Sequence, residues 1–290
     1  MRLFEERGVV LFDAAMGSAL QAAGQPSGTG SEEMNNLSPE TVLNIHIENV
    51  KAGCDVLTSN TFGVSALMMR EDKDTALDTL EKAVSLAKEA ASGGGPGGRE
   101  VFVCLCIGPT GKMLGLYGEP NYHVAEESYA AQAEAGTRAG ADFILLETFA
   151  DPGEFACAAG AVKASGLPVA GTMTFGASGR TFMGASPDDL LYIARSEKLI
   201  ATGANCTLEP EGMFPVVSEI MALAKDLPVI AQPNAGQPVC VGGKTVYELS
   251  DDDFIAGVTK LLELGISGIG GCCGTTPAII NRIRDIIDRR

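Results

Sequence analysis

Cys206, Cys272 and Cys273 stand in polar or glycine-rich surroundings, and three such thiols could hold a metal ion. Zn²⁺ takes thiolates readily, and three protein ligands with one open position is the arrangement of catalytic zinc. Adjacent residues on an extended strand point to opposite sides, so Cys272 and Cys273 could not both face one ion there. Gly268, Gly270, Gly271 and Gly274 surround the pair and free the backbone to turn both sulfurs one way. The spacing alone leaves three readings open: a metal site, buried cysteines beside a glycine-rich turn, or a disulfide between neighbours.

Thiols so far apart in sequence need a scaffold that brings them together. Eight apolar, largely β-branched runs recur along the chain, at 9–12, 55–60, 101–107, 143–147, 169–175, 199–206, 229–233 and 266–271. Helix-like segments lie between them, opened by Ser38-Pro39-Glu40, Ser186-Pro187-Asp188, Glu209-Pro210-Glu211 and Thr276-Pro277. Proline suits the first helical turn because the N–H it lacks would have no partner there. Gly53, Gly140 and Gly265 close helices where a left-handed residue is needed. The alternation predicts an α/β fold, a single (β/α)8 TIM barrel over 1–290, with a doubly wound open sheet as the rival. The glycine-rich stretch 92–98 then becomes a surface loop on the inert face.

A barrel of this kind does its chemistry at the carboxyl ends of its strands. Those positions are Asp13, Asn60-Thr61, Gly108-Pro109-Thr110, Glu147-Thr148, Thr174, Asn205-Cys206, Asn234 and Cys272-Cys273. The other cysteines sit in apolar surroundings and read as small buried hydrophobes, Cys104, Cys106 and Cys157 among them. His46 and His123 fall within or before helices and read as structural or solvated. Gly242-Gly243-Lys244-Thr245 resembles the end of a phosphate loop, but Pro238 stands where the first glycine belongs and no helix start follows.

Composition narrows the partners. Hydrophobic residues are 46% of the 290, charged residues 20%, enough apolar material for a large core. Lys and Arg number 21 against 37 Asp and Glu, a net charge of −16 that disfavours nucleic acid and anionic membranes. Arg2, Glu5, Glu6 and Arg7 interrupt any apolar leader. No run reaches the ~18–20 apolar residues of a membrane helix. A cytoplasmic protein with reduced thiols is expected, since disulfide frameworks belong to short secreted chains.

The blocks Gly270-Gly271-Cys272-Cys273-Gly274-Thr275-Thr276-Pro277 and Gly203-Ala204-Asn205-Cys206 resemble the homocysteine S-methyltransferase family of zinc-dependent barrel enzymes. Asp13-Ala14-Ala15-Met16-Gly17, Thr58-Ser59-Asn60-Thr61-Phe62-Gly63, Ile107-Gly108-Pro109-Thr110-Gly111-Lys112, Glu147-Thr148-Phe149 and Pro233-Asn234-Ala235-Gly236 follow its order. The Gly-Pro-Thr-Gly-Lys and Pro-Asn-Ala-Gly blocks are most similar to the homocysteine-binding module of cobalamin-dependent methionine synthase. Ala14 departs from the glycine usual after the aspartate.

The resemblance implies Zn²⁺ on Cys206, Cys272 and Cys273, with Asn234 a possible fourth ligand. It implies methyl transfer to the homocysteine thiol, giving methionine. Glu147 and Asp13 are then the carboxylates for the α-ammonium, Asp13 having a second reading as cap of a helix over 15–21. Backbone N–H groups of Ala15, Met16 and Gly17 would hold the α-carboxylate, and Asn60 and Thr61 would orient these groups or satisfy backbone. The blocks most similar to methionine synthase make methylcobalamin on a separate corrinoid protein the expected donor. The folate, cobalamin and reactivation domains are then either separate polypeptides or cut away from an excised module. Two alternatives stand: a self-sufficient transferase using S-methylmethionine or betaine, and a non-catalytic zinc-thiolate docking module. The scarcity of aromatic residues at the rim positions disfavours betaine, whose quaternary ammonium wants an aromatic cage.

Overall fold

In the computed structural model, which describes residues 3–68, 72–115, 120–242 and 244–290, the apolar runs pair as parallel strands. Arg2 and Gly243, singled out above, lie outside these residues. The strands are β1 (Val10–Leu11), β2 (Val56–Thr58), β3 (Phe102–Ile107), β4 (Phe143–Phe149), β5 (Val169–Met173), β6 (Ala201–Asn205) and β7 (Val229–Gln232). A hairpin of β8 (Pro238–Val241) and β9 (Lys244–Tyr247) follows, and then the last barrel strand, β10 (Gly268–Ile269). The sheet runs β1-β10-β7-β6-β5-β4-β3-β2, and a parallel bridge between Phe12 and Val56 joins its two ends. This is the eight-stranded TIM barrel expected from the alternation.

Each barrel strand is followed by a helix on the outside: Pro39–Ala52, Lys73–Ala91, Tyr122–Arg138, Pro152–Ala161, Pro187–Ser196, Pro210–Leu223, Asp251–Glu263 and Pro277–Asp288. Their starts follow the sequence signals. Ser186 and Asp189 form a reciprocal capping box, and Ser250 and Thr276 accept backbone N–H bonds as caps. One apolar cluster fills the ring, including Phe12, Phe143, Leu145 and Ile230, and a larger one lies between strands and helices. Loop 92–98 connects a helix to the start of β3, away from the strand ends that carry the cysteines.

The seam between β1 and β2 is narrow, and Asp55 closes it. Its N–H donates to the Leu11 carbonyl at 2.7 Å and its carboxylate accepts the Leu11 N–H at 2.8 Å. Arg284 from the last helix and Arg7 both pair with this fully buried carboxylate. Arg99 adds a third partner at 3.4 Å, and the charge is costliest to break on the carboxylate side, where all three arginines lose it.

Three departures from the sequence expectation bear on the site. The last strand covers only Gly268–Ile269 rather than 266–271, although the Gly270 N–H still bonds to Ala231 of β7. The Gly271 N–H then reaches the Asp13 carbonyl and the Cys272 N–H reaches Pro233. Next, β4 runs on past Glu147 to Phe149, with an irregular register after Leu146 and Thr148 at φ 63°. Last, the described residues of the discarded phosphate-loop look-alike fall in an unexpected hairpin, Gly242 following β8 at φ 59° and Lys244 and Thr245 lying on β9. Among the described residues no helix is long and apolar enough to cross a membrane.

Candidate active site

At the carboxyl ends of the strands lies a cavity of about 310 Å³. Thiols line one part of its wall and carboxylates another. β6, β10 and their following turns bring Cys206, Cys272 and Cys273 together, with all three Sγ atoms within 4.8 Å of one another. Cys206 and Cys273 are 3.9 Å apart, and every cysteine is a free thiol, so the disulfide between neighbours is not formed. Three thiolates bound at ~2.3 Å to one tetrahedral ion would lie about 3.8 Å from each other. The donor set therefore fits a thiophilic dication.

Local backbone strain aims these sulfurs. Cys206 and Thr207 both take left-handed φ, 62° and 59°, which costs about 1–3 kcal/mol per non-glycine residue. The Cys206 N–H bonds to the Gln232 carbonyl of β7, which holds the turn against that cost. On the other side Gly274 sits at φ 82°, where a Cβ would come within 2.3 Å of the Tyr247 ring. Tyr247 packs in that gap, beside Ser18 and Cys273. The neighbouring Cys206 and Cys272 thiols make Cys273 the first thiol to ionise, while Cys206 and burial push Cys272 up. Buried Asn234 Oδ1 and Gln232 Oε1 have no hydrogen-bond partner, and Gln232 lines the cavity.

Asp13 and Glu147 both line the same cavity. Asp13 accepts the Thr58 N–H at 2.9 Å, and the helix Met16–Ala22 begins without a side-chain cap. The capping alternative for Asp13 is thus overturned. Burial pushes the Asp13 carboxyl up to about 7, and burial raises Glu147 as well. Glu147 is held by the Cys106 thiol at 2.7 Å and by Asn205 at 3.3 Å. Asn205 also accepts the Thr148 N–H and the Thr172 hydroxyl and donates to the Thr148 hydroxyl, which fixes the left-handed turn beside Glu147.

The other residues singled out from sequence divide. Ala15, Met16, Gly17 and Asn60 line the cavity. The Ala15 N–H is already directed to the Thr275 hydroxyl, leaving Met16 and Gly17 in the first helical turn, where N–H groups have no helical acceptor. Asn60 donates to Ser31 and Asn35, tying the loop after β1 to the end of β2. Thr61 donates to the Cys106 carbonyl and is not among the lining residues. Asn234 is buried beside Leu208 and is likewise not in the lining. Ala14 keeps a negative φ, donates to Asn49 and adds its methyl to the cavity wall. His46 is wholly buried and His123 is an exposed partner of Glu127; neither lines the cavity.

Cys106, Glu32, Phe62 and Tyr247 were missed. Cys106 alternates with Cys104 and Phe102 on β3, and its place one residue before the strand end was the available signal. Glu32 accepts the Gly63 N–H from a loop without periodicity. Phe62 is the one phenylalanine among the described lining residues, so a multi-walled aromatic cage is absent there.

Eight parallel strands closed on themselves, with a thiol triad and paired carboxylates at their carboxyl ends, define a TIM-barrel enzyme. The comparisons with known proteins agree. The family model for homocysteine S-methyltransferase matches residues 10–287. The chain is 30% identical over 95% of its length to methionine synthase of Mycobacterium tuberculosis, strain ATCC 25618 / H37Rv, and spans 24% of that protein. It is 26% identical to homocysteine S-methyltransferase 2 of Arabidopsis thaliana, covering 87% of this chain and 85% of that one. The crystal structure of the homocysteine methyltransferase MmuM from Escherichia coli, oxidized form, shares the fold at TM-score 0.80, with 22% identity and 98% of both chains covered. The chain belongs to the homocysteine S-methyltransferase family.

Proposed function

We propose that this chain transfers a methyl group to the thiol of homocysteine, giving methionine, with zinc on Cys206, Cys272 and Cys273. The observation that carries the reading is one cavity walled by three clustered thiols and by three carboxylates, Asp13, Glu32 and Glu147. Zinc bound there would hold a substrate sulfur as thiolate near neutral pH, where a free thiol with pKa about 8.5 is mostly protonated. Three anionic ligands keep such a sulfur electron-rich and suited to attack a methyl carbon. Glu147 and Asp13 take the α-ammonium, and the free N–H groups of Met16 and Gly17 take the α-carboxylate. Asn234 or Gln232, each with an unpartnered buried carbonyl, is the protein's own candidate for the fourth position before substrate arrives.

The donor in this reading is methylcobalamin on a separate corrinoid protein. Similarity to methionine synthases supports it, and the chain spans about a quarter of their length. The second reading is a self-sufficient transferase, favoured by the near-equal length of the Arabidopsis relative. A donor screen with homocysteine, following methionine by mass spectrometry, separates them. Methylcobalamin should be consumed in step with methionine, and faster when a corrinoid protein presents it in line. Efficient turnover of S-methylmethionine or betaine with methylcobalamin intact would establish the second reading. Demethylation of no donor at all would leave a docking module.

A further inference from the structure

Cys106 is 1% exposed yet lines the cavity, and its Sγ lies 2.7 Å from Glu147 Oε1. The backbone that carries this thiol is held on both sides. The Cys106 N–H donates to the Ser59 hydroxyl at 3.1 Å, and its carbonyl accepts the Thr61 hydroxyl at 2.6 Å. β3 and β4 pair in register here, Cys106 opposite Leu145, so the two side chains meet across neighbouring strands. Burial and the adjacent Glu147 charge push the Cys106 thiol well up, so it stays protonated and donates.

We propose that Cys106 is a positioning residue for substrate recognition: its thiol fixes Glu147 from one side and leaves the carboxylate's remaining lone pairs to the substrate ammonium. The inference rests on Glu147 binding that ammonium. Its physical logic lies in the kind of donor used. A lysine or arginine beside Glu147 would orient it equally well but would cancel its charge and compete with the incoming cation. A thiol and the Asn205 amide orient the carboxylate without neutralising it. The site therefore keeps a preorganised negative charge that only a ligand cation can match.

The test compares homocysteine with 4-mercaptobutanoate, which has the same thiol and carboxylate but no ammonium. Zinc-loaded wild type, Cys106→Val, Cys106→Ser and Glu147→Gln are titrated with each ligand, with zinc content measured by elemental analysis. Cys106→Ala replaces the valine variant should that one fail to fold. Wild type should prefer homocysteine clearly, and Cys106→Val should lose about tenfold of that preference at unchanged zinc content. Cys106→Ser, which keeps a donor, should restore most of it. Binding of 4-mercaptobutanoate should change little in any Cys106 variant. An unchanged preference in Cys106→Val, alongside a reduced one in Glu147→Gln, overturns the role of Cys106 and leaves that of Glu147 standing. An unchanged preference in Glu147→Gln removes the ammonium reading, and this proposal falls with it.

Discussion

Cys273 is the thiol whose charge the protein itself supports, because the neighbouring Cys206 and Cys272 thiols hold it well below the ordinary thiol range. Its two partners remain protonated near neutral pH, so a dication that binds all three sulfurs must expel protons. Zinc titrations in buffers of different ionisation heat should show proton release, and loading should weaken as pH falls. Cys206→Ala, Cys272→Ala and Cys273→Ala should each lose bound zinc, and full zinc in any of them would remove that residue from the metal site. Asp13 gives a second test. Its folded pKa, about 7, lies above the ordinary 3.8, so the native state holds the proton more tightly than the unfolded chain. The stability this provides is complete below pH 3.8 and is lost as pH rises to about 7. The loss cannot exceed about 1.4 kcal/mol per pH unit for one group. Buried His46, its pKa lowered from 6.5 to about 4, acts in the opposite sense over much of that window, so the readout is a difference. Across it the metal-free wild type should lose stability relative to Asp13→Asn, and equal slopes would refute the burial of a titrating Asp13.

Strands and helices were legible where local chemistry and long-range packing agree. Runs such as Val101–Ile107 and starts such as Ser186-Pro187-Asp188 carry their structure in composition and order. The hairpin carries no such mark: all of β8 is exposed, so no apolar alternation distinguishes it from a loop. Tyr247 was hidden for that reason, since it reaches the thiols from an insertion rather than from a barrel strand. Cys106 was hidden differently, by apolar neighbours that made it look inert. The end of β4 shows what a local reading cannot supply. Thr148 adopts φ 63° only because Asn205, two strands away in the sheet, bonds to its N–H and hydroxyl. Asn205→Ala should therefore destabilise the fold by about 2–3 kcal/mol and loosen Glu147. Chemical denaturation checks the first effect, homocysteine titration the second, and wild-type values for both would dissolve the link.

At the scale of the whole barrel, stability and chemistry sit at opposite ends. The apolar clusters and the Asp55 network make no use of the thiols, so chelating the metal should leave far-UV circular dichroism intact, unlike in a zinc finger. Asp55→Asn should cost about 3 kcal/mol because it leaves buried Arg284 with only the half-exposed Asp288 as counter-charge. A thermal midpoint that drops sharply on chelation and barely in Asp55→Asn would reverse this division. The barrel itself was legible because eight strand–helix units permit few closures. Its locking device was not, since Asp55 and Arg284 are brought together only by ring closure.

That lock also sets an order in time. Arg284 comes from the last helix, and Cys272 and Cys273 lie just ahead of it in the chain. During synthesis the sheet can grow strand by strand while Cys206 waits alone at its edge. The two remaining thiols follow directly on β10, the strand that pairs with both β1 and β7, and leave the ribosome only about a second or two before Arg284, the partner of Asp55, at ~5–20 residues per second. The complete triad thus spends almost none of its early life on an open sheet, where stray metals and oxidants would find it unshielded. Closure and assembly of the reactive centre are in effect one event.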